Sequence, residues 1–417
     1  MNATDFNIGL AICAGAVLFL TLVGGAIRSR LPLSQPLLCV LIGIGVGPVG
    51  FDLLRFDPAA SEAERLIFEQ AARVTVALSV MSAALRLPDG FFLDRWRPMA
   101  VILGLGMLLM WLAASGLALL LPGLTLLGAL VLGALVTPTD PVLAGSIVQG
   151  RLAEKAIPAG LRHRISAESG ANDGLALPLL LLPMMLAEAP GGATVAEWLF
   201  EVLLFEVVGA AIVGCLVGAA AGWAFTAAQR NEFAEGKSVT AATLALTLAT
   251  LAAVRLGQAD GLLAVFTAGL AFSYFLRRAH DEKYEHFHEA VDRFFTLPVF
   301  ILFGVALPWP EWESIGWSLF AAAFAVLLLR RLPAWLLLGR MGGIYARPID
   351  TAFAGWFGPV GVAAMFYAAY AMMENAPPLI WPFVSLVVAL SVLVHGISAT
   401  SLTRLYAQRS RGEARQG

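Results

Sequence analysis

The sequence has little charge for its length. Only 13% of its 417 residues are charged, whereas 59% are hydrophobic. A soluble domain carries roughly 25% charged residues, because these residues cover its water-facing surface. The composition therefore excludes an ordinary soluble domain and predicts a polytopic, all-α membrane protein in a lipid bilayer. With a formal net charge of −2, the chain also offers no basic surface, and no nucleic-acid partner is expected.

The sequence is equally poor in the groups that build metal centres and active sites. Its three cysteines, Cys13, Cys39 and Cys215, lie in apolar runs without ligand spacing, and we expect them to be small core residues. The five histidines show no metal spacing, and there is no HExxH-like motif or paired nucleophile and base. We therefore expect neither an enzyme nor a resident cofactor.

Neither end carries a separate hydrophilic segment. Residues 1–7 contain no Lys or Arg ahead of the first apolar run, so we expect a retained first helix rather than a cleaved signal peptide. No long hydrophilic stretch follows the last apolar run, and residues 404–417 are expected to form a short cytoplasmic tail.

Runs of about 20 mostly apolar residues predict thirteen membrane-spanning helices. The third run is the least regular, because Glu64, Arg65, Glu69 and Arg73 lie in its first half. An odd number of spans puts the two ends on opposite sides of the membrane. The predicted spans are residues 6–27, 34–50, 64–86, 99–121, 124–149, 161–187, 197–227, 238–256, 260–277, 292–308, 314–339, 350–373 and 380–403.

The loops between these spans differ in charge. Most of the 27 Lys and Arg residues fall in the loops on the C-terminal side, whereas the opposite loops hold only Arg55, Arg65 and Arg255. Basic loops face the cytoplasm. The pattern predicts a multi-pass protein of the cell (inner) membrane, with its N-terminus outside and its C-terminus in the cytoplasm.

Polar groups interrupt two of the hydrophobic runs. Residues 168–174 of the sixth span read ESGANDG, and residues 137–141 of the fifth read TPTDP. A carboxylate at the bilayer centre costs about 2.5–3.5 kcal/mol, and such residues mark ion and proton pathways. We interpret Asp173 as the ion- and proton-binding carboxylate, with Asp140 as a second acid at the same site.

Helix breakers lie at mid-depth in the fifth span and in the twelfth, where residues 356–361 read WFGPVG. Unpaired backbone at membrane depth is tolerated only where protein or a water-filled cavity surrounds it. The two breaks are seven spans apart and therefore run in opposite directions, as an inverted repeat requires. The pair predicts a binding site between discontinuous helices; kinks in ordinary packed helices are the alternative.

Two carboxylates held close together cannot both stay ionised without a cation. Cation and proton then compete for one negative charge, which is sufficient for exchange. Neutral oxygens from Thr139 and Ser169 would complete the all-oxygen shell that hard cations prefer. The candidate cation ligands are therefore Asp173, Asp140, Ser169 and Thr139.

Glu168 lies five residues before Asp173, which turns it about 140° around the helix. We expect Glu168 to pair with Arg330 or Arg331 and to fix two helices rather than to carry ions. Asn172 lies one turn after Glu168 and is expected to hydrogen-bond across to that pair. Spacing alone leaves the choice between the two arginines open.

The TPTDP and ESGANDG motifs together resemble the paired signature of NhaP-type sodium/proton antiporters, relatives of the animal sodium/proton exchangers. Residues 36–48, 297–304 and 395–396 resemble the family's second, tenth and last helices, so the resemblance covers nearly the whole chain. It implies two inverted repeats whose fifth and twelfth helices cross, a homodimer, and alternating access by an elevator-like movement. It also implies electroneutral exchange of Na⁺ or Li⁺, alternatively K⁺, for H⁺ in pH homeostasis.

The resemblance also divides the chain and assigns the site. Residues 64–187 and 292–403 would form the mobile core, and residues 6–50 and 197–277 mainly the dimerisation scaffold. By position, the family's ion site falls on Asp173, Asp140, Ser169 and the Thr139 backbone, and its structural triad on Glu168, Asn172 and Arg331.

Two positions depart from the family pattern. Ser82 stands where many relatives have a third-span acid, so it can donate an oxygen but no charge, and the Na⁺ versus K⁺ preference stays open. Val360 stands where the twelfth-helix break usually has a basic residue. Outside the antiporter interpretation, a passive cation channel or a non-transporting sensor remains, although no repeated filter loop supports a channel.

Overall fold

The computed structural model shows that all regular structure in the described part of the chain is helical. It describes residues 3–30, 33–231, 239–257, 259, 261–277, 285–342, 344–345, 347–374 and 378–416. The helices of the first half are α1 (Ala3–Arg30), α2 (Gln35–Val46), α3 (Glu62–Leu85), α4 (Phe91–Asp94), α5 (Trp96–Ala100), α6 (Met107–Ala118), α7 (Leu126–Leu135), α8 (Pro141–Val148), α9 (Gly150–Ala156) and α10 (Ala159–Glu188). Those of the second half are α11 (Gly192–Glu197), α12 (Ala210–Arg230), α13 (Val239–Leu256), α14 (Gly261–Arg277), α15 (Glu285–Val305), α16 (Trp309–Ile315), α17 (Trp317–Leu329), α18 (Leu332–Gly342), α19 (Pro348–Trp356), α20 (Val362–Met373) and α21 (Ile380–Gln416). Two π-helical segments, Val101–Gly106 and Trp198–Gly209, continue α5 into α6 and α11 into α12.

The helices confirm a multi-pass membrane protein. Within the described residues, eight helices are long and apolar enough to cross a membrane, and the bent pair Phe294–Val305 and Trp309–Ile315 would make nine. Shorter apolar helices include α2, α7, α14 and α20. The charged third run forms one continuous spanning helix, α3, as predicted. The total of thirteen spans stays a prediction.

Helix α3 lies at the centre of the bundle. It packs against α10, α14, α15 and α20. Its second half is buried without interruption from Thr75 to Ala84, and this half includes Ser82. Helix α3 therefore contacts both α10, α15 and α20, which the family resemblance places in the core, and α14, which it places in the scaffold.

Small residues let several helix pairs approach closely. A Cβ atom at Gly304 of α15 would meet the Gly43 Cα of α2 at 3.0 Å. Along α12, Gly214 and Gly218 lie against the backbone of α14. Packing of this kind drives helix association in lipid, where the hydrophobic effect between helices is absent.

Both predicted interruptions are present. Helix α7 ends at Leu135 and α8 begins at Pro141, while α19 ends at Trp356 and α20 begins at Val362. The two breaks touch, because the Asp140 N–H donates to the Pro359 carbonyl at 2.8 Å. The crossing of discontinuous helices therefore exists as a physical contact between backbones.

A third interruption was not predicted. Helix α17 ends at Leu329 and α18 begins at Leu332, so Arg330 and Arg331 lie between them. Pro333 is the second residue of α18, and its missing N–H and bulky ring account for the interruption. This bend directs both arginines into the protein interior, where they are buried.

One expectation about the cysteines was wrong. Cys13 and Cys39 are buried, but Cys215 is exposed on α12. The segment Gly192–Arg230 that contains Cys215 is apolar and only 22% of its most apolar window is buried. Because lipid is as apolar as leucine, the hydrophobicity of a run does not tell an inward face from a lipid-facing one.

Candidate functional site

Helix α10 carries the site on three of its faces. Residues four apart lie on one face of a helix, one turn from each other. All members of the three pairs are buried. The pairs are Glu168 with Asn172, Ser169 with Asp173, and Gly170 with Gly174.

The glycine face brings α10 against its neighbours. A Cβ atom at Gly170 would lie 2.6 Å from the Phe266 ring and 3.1 Å from the Ala83 Cβ. A Cβ atom at Gly174 would lie 2.7 Å from the Leu263 backbone nitrogen. The distances of 2.6 and 2.7 Å are too short for a Cβ atom, so the glycines set how closely α10 approaches α14.

The Glu168 face holds a buried ion pair. The two guanidinium nitrogens of Arg331 contact the two Glu168 oxygens, with 2.9 Å between Nη2 and Oε2. Arg331 also donates to the Ala354 carbonyl at 3.0 and 3.1 Å and stacks on the Trp335 ring at 3.9 Å. Arg331, not Arg330, is therefore the partner of Glu168, and the pair ties α10 to α18 and α19.

Asn172 has a different role from the one expected. It does not bond to the Glu168–Arg331 pair. Its Nδ2 donates to the Thr139 hydroxyl at 2.8 Å, and its Oδ1 accepts from the Thr139 N–H at 3.2 Å. Asn172 thus satisfies one residue of the first break on both its backbone and its side chain, because the amide has both a donor and an acceptor.

Asp140 caps two helix N-termini at once. One carboxylate oxygen accepts from the N–H groups of Val142 and Leu143 at 2.6 and 3.1 Å, as an N-cap of α8. The other oxygen accepts from the Val362 N–H at 2.5 Å, at the start of α20. A negative group between two helix N-termini is stabilised by both. Asp140 therefore holds the crossing together as well as bringing charge to it.

Arg330 meets the opposite ends of the broken helices. Its Nη1 donates to the carbonyls of Val136 and Thr137, with 2.8 Å to Thr137, just after α7 ends. Its Nη2 donates to the Gly358 carbonyl at 2.5 Å, just after α19 ends. Arg330 is 1% exposed. One guanidinium thus bonds to both breaks.

The second break is satisfied by neighbours from other helices. The Val360 N–H donates to the Ser391 hydroxyl at 2.8 Å, and His395 Nε2 lies 3.1 Å from the Trp356 carbonyl. A Cβ atom at Gly358 would overlap Arg331, and one at Gly361 would overlap Asp140. The two glycines are therefore required because charged side chains pass directly over them.

The remaining face of α10 presents the candidate ion-binding groups. Asp173 is completely buried, and the Tyr367 hydroxyl donates to its backbone carbonyl at 2.5 Å. The Ser169 hydroxyl donates to the Ser166 carbonyl at 3.3 Å. Ser82 is buried on α3, which packs against α10. Within the described residues, no group of three His, Cys, Asp or Glu side chains has the geometry of a metal centre.

A cavity begins one helical turn beyond Asp173. It is narrow and lies between α3, α10, α13, α14 and α20. Its lining includes Leu177 of α10, Tyr367, and two arginines, Arg73 and Arg255. The cavity therefore reaches the tyrosine that holds the Asp173 backbone.

Sequence reasoning missed three groups around the crossing. Arg330 was not assigned a contact with either break, and neither Ser391 nor His395 was given a contact. The dipeptide Asp140-Pro141 did contain a usable signal, because Asp at N-cap and Pro at N1 mark the start of a helix. The other contacts join residues distant in sequence, and no local pattern indicates them.

Discontinuous helices that cross within an apolar bundle, with buried acids at the crossing, are the architecture of secondary transporters. A family model described as "Sodium/hydrogen exchanger, transmembrane" matches residues 17–405. The chain belongs to this family, which is one of membrane exchangers rather than enzymes.

Individual relatives agree with this assignment. The chain is 29% identical over 422 residues to a probable Na(+)/H(+) antiporter of Schizosaccharomyces pombe, covering 94% of this chain and 55% of the relative. It is 30% identical over 412 residues to Na(+)/H(+) antiporter 2 of Zygosaccharomyces rouxii, covering 91% of this chain and 50% of the relative. The chain thus spans about half the length of these curated relatives.

A solved structure shows the same fold. The sodium proton antiporter MjNhaP1 from Methanocaldococcus jannaschii superimposes with a TM-score of 0.75 over 99% of both chains, at 17% identity. At this identity the likeness establishes the fold and not the substrate.

Proposed function

We propose that this protein is a secondary active antiporter that exchanges a monovalent cation for H⁺, with Na⁺ as the principal cation and Li⁺ as a second. The observation that carries the proposal is the complete burial of Asp173, next in sequence to Asn172, which bonds to Thr139 at the first break. A carboxylate removed from water favours binding either a proton or a cation, because either one neutralises it. Competition between the two at Asp173 couples their movements.

Asp140, Ser169, Thr139 and Ser82 are the further oxygens that we assign to the cation. Family membership and the antiporters among the relatives support Na⁺. One cation would replace one proton, which makes the exchange electroneutral. Glu168, Asn172 and Arg331 have a structural role around the site. Glu168 pairs with Arg331, and Asn172 bonds to Thr139.

Potassium/proton exchange is the second candidate. A relative named K(+)/H(+) antiporter NhaP2, from Shewanella sp. (strain MR-4), is 24% identical over 407 residues, covering 96% of this chain and 66% of the relative. Ser82 adds no charge to the site, and a weaker field disfavours the smaller, more strongly hydrated Na⁺. These two observations keep K⁺ as the alternative cargo.

The remaining expectations belong to this proposal. The basic loops support an N-terminus outside and a C-terminus in the cytoplasm of the cell membrane. The family resemblance of the sequence implies a homodimer in which the core, residues 64–187 and 292–403, moves against the dimerisation scaffold, and we include both in the proposal. The cavity beyond Asp173 would then open toward the outside, because α10 runs from the basic side of the membrane to the opposite side.

Exchange in proteoliposomes tests the proposal. The liposomes carry a pH-sensitive dye and a proton gradient, and Na⁺, Li⁺, K⁺ or choline is added outside. We expect Na⁺ and Li⁺ to dissipate the gradient, and Asp173→Asn to abolish this response because it removes the shared negative charge. Asp94→Asn, which changes an exposed acid of α4, is the matched control and should exchange like the wild type.

Each result has a clear consequence. A response to K⁺ alone selects the second candidate. No response to any of these cations from correctly folded protein, or an unchanged response in Asp173→Asn, contradicts the proposed function.

A further inference from the structure

Arg330 is a buried charge that the exchange mechanism has not used. Within the described residues it forms no ion pair with a carboxylate, whereas its neighbour Arg331 is fully engaged with Glu168. Burying a guanidinium without a partner charge is costly, so its surroundings must offset that cost. The groups that do so are three backbone carbonyls, those of Val136, Thr137 and Gly358.

These carbonyls have one property in common. They follow the C-terminal ends of the half-helices α7 and α19, where the last carbonyls lack intrahelical partners and carry partial negative charge. Asp140 does the converse, because its carboxylate accepts hydrogen bonds from N–H groups at the N-terminal ends of α8 and α20. The four half-helix ends are thus held by one negative and one positive side chain.

The second break itself supplies no charge. Residues 357–361 read Phe-Gly-Pro-Val-Gly, and the buried Val360 lies two residues from the carbonyl that Arg330 bonds. The positive charge at the crossing therefore comes from another helix, through the bend that Pro333 makes between α17 and α18.

We propose that Arg330 is a positioning residue for ion exchange: its guanidinium locks the two helix breaks together and supplies the fixed positive charge of the crossing. This inference rests on the proposed antiport function. Because the charge lies at the same crossing as Asp140, it opposes cation binding, and it thereby keeps the cation from being held too tightly to be released.

Two substitutions separate the charge from the hydrogen bonds. Arg330→Lys keeps the charge but loses the planar fork of donors, and Arg330→Gln keeps a donor but loses the charge. Exchange is measured in proteoliposomes against Na⁺ concentration, and unfolding temperature is measured in detergent. We expect Arg330→Lys to keep the wild-type KM, and Arg330→Gln to lower both KM and maximal rate several-fold.

Moving the charge onto the second break tests the role of the charge directly. In the double variant Arg330→Gln with Val360→Lys, we expect KM and maximal rate to return toward the wild-type values. Arg331→Gln with Val360→Lys should not recover, because Arg331 is needed opposite Glu168. Arg164→Gln is the matched control, since Arg164 also donates to a backbone carbonyl, that of Ile344, but away from the crossing.

The outcomes decide between the two roles. If Arg330→Gln lowers only the unfolding temperature and leaves KM unchanged, Arg330 is merely structural and the inference is overturned. An Arg330→Gln protein with wild-type exchange and stability also overturns it. If the wild type shows no cation-dependent exchange, the proposed function fails. The unfolding temperature then tests whether Arg330 holds the two breaks together, because Arg330→Gln should unfold at a lower temperature than Arg164→Gln.

Discussion

The two helix breaks solve one problem with different residues. Each interrupts an apolar helix and frees backbone groups that water cannot reach. The first break, residues 136–140, brings its own acid, and Asn172 satisfies Thr139 from the neighbouring helix. The second break, residues 357–361, brings only glycine, proline and apolar side chains, and its polar side-chain partners, Arg330 and Ser391, come from other helices.

The difference makes the crossing an asymmetric site. Both breaks interrupt the helical backbone, but only the first carries a charged residue of its own, Asp140. The glycines of the second break create the space into which Asp140 and Arg331 extend. The first break therefore contributes the Asp140 side chain, and the second break provides the space for it. Substitutions should affect the two breaks in different ways.

Glu168→Ala should have the largest effect on stability. It leaves the Arg331 guanidinium beneath the second break without its carboxylate, and breaking a buried pair in this way costs about 3–5 kcal/mol. We expect a large drop in the unfolding temperature measured in detergent. Glu188→Ala, an exposed position on the same helix, should unfold like the wild type. A Glu168→Ala protein that is fully stable but inactive would contradict the structural role assigned to Glu168.

Gly361→Ala should separate the two breaks. The new methyl group would overlap the Asp140 carboxylate, and overpacking of this kind costs about 1–3 kcal/mol. The Asp140 contact with the Val362 N–H would be lost as well, so we expect a strong decrease in exchange together with lower stability. Gly145→Ala in α8, where the nearest atom to the new methyl group is 3.8 Å away, is the control. Equal behaviour of the two variants would show that the close approach at Gly361 is unimportant.

Ser391→Ala should have the smallest effect and should act on the second break alone. It removes the acceptor of the buried Val360 N–H, which costs about 1–3 kcal/mol. Ser385→Ala on the same helix is the matched control, because the Ser385 hydroxyl donates only to carbonyls within α21. We expect Ser391→Ala to unfold at a lower temperature than Ser385→Ala, and the reverse order would remove Ser391 from the support of the break.

The sequence predicted much of the architecture. Hydrophobic runs indicated the spanning helices, and Pro138, Pro141 and Pro359 indicated both interruptions, because proline acts on its own local backbone. The buried carboxylates were also identifiable, since any ionisable group within an apolar run is conspicuous. The interruption ahead of Pro333 was missed because Arg330 and Arg331 were considered as alternative partners of Glu168 and not as residues at the end of a helix.

What the sequence determined by itself, then, is where the chain is apolar, where its helices break and which acids enter the membrane, because each follows from the chemistry of neighbouring residues. Only the tertiary structure decided that Arg331 pairs with Glu168 while Arg330 bonds to both breaks, and that Asn172 supports Thr139. Those choices depend on the rotation of each helix about its axis. Packing between helices distant in sequence sets that rotation, and no pattern within one helix records it.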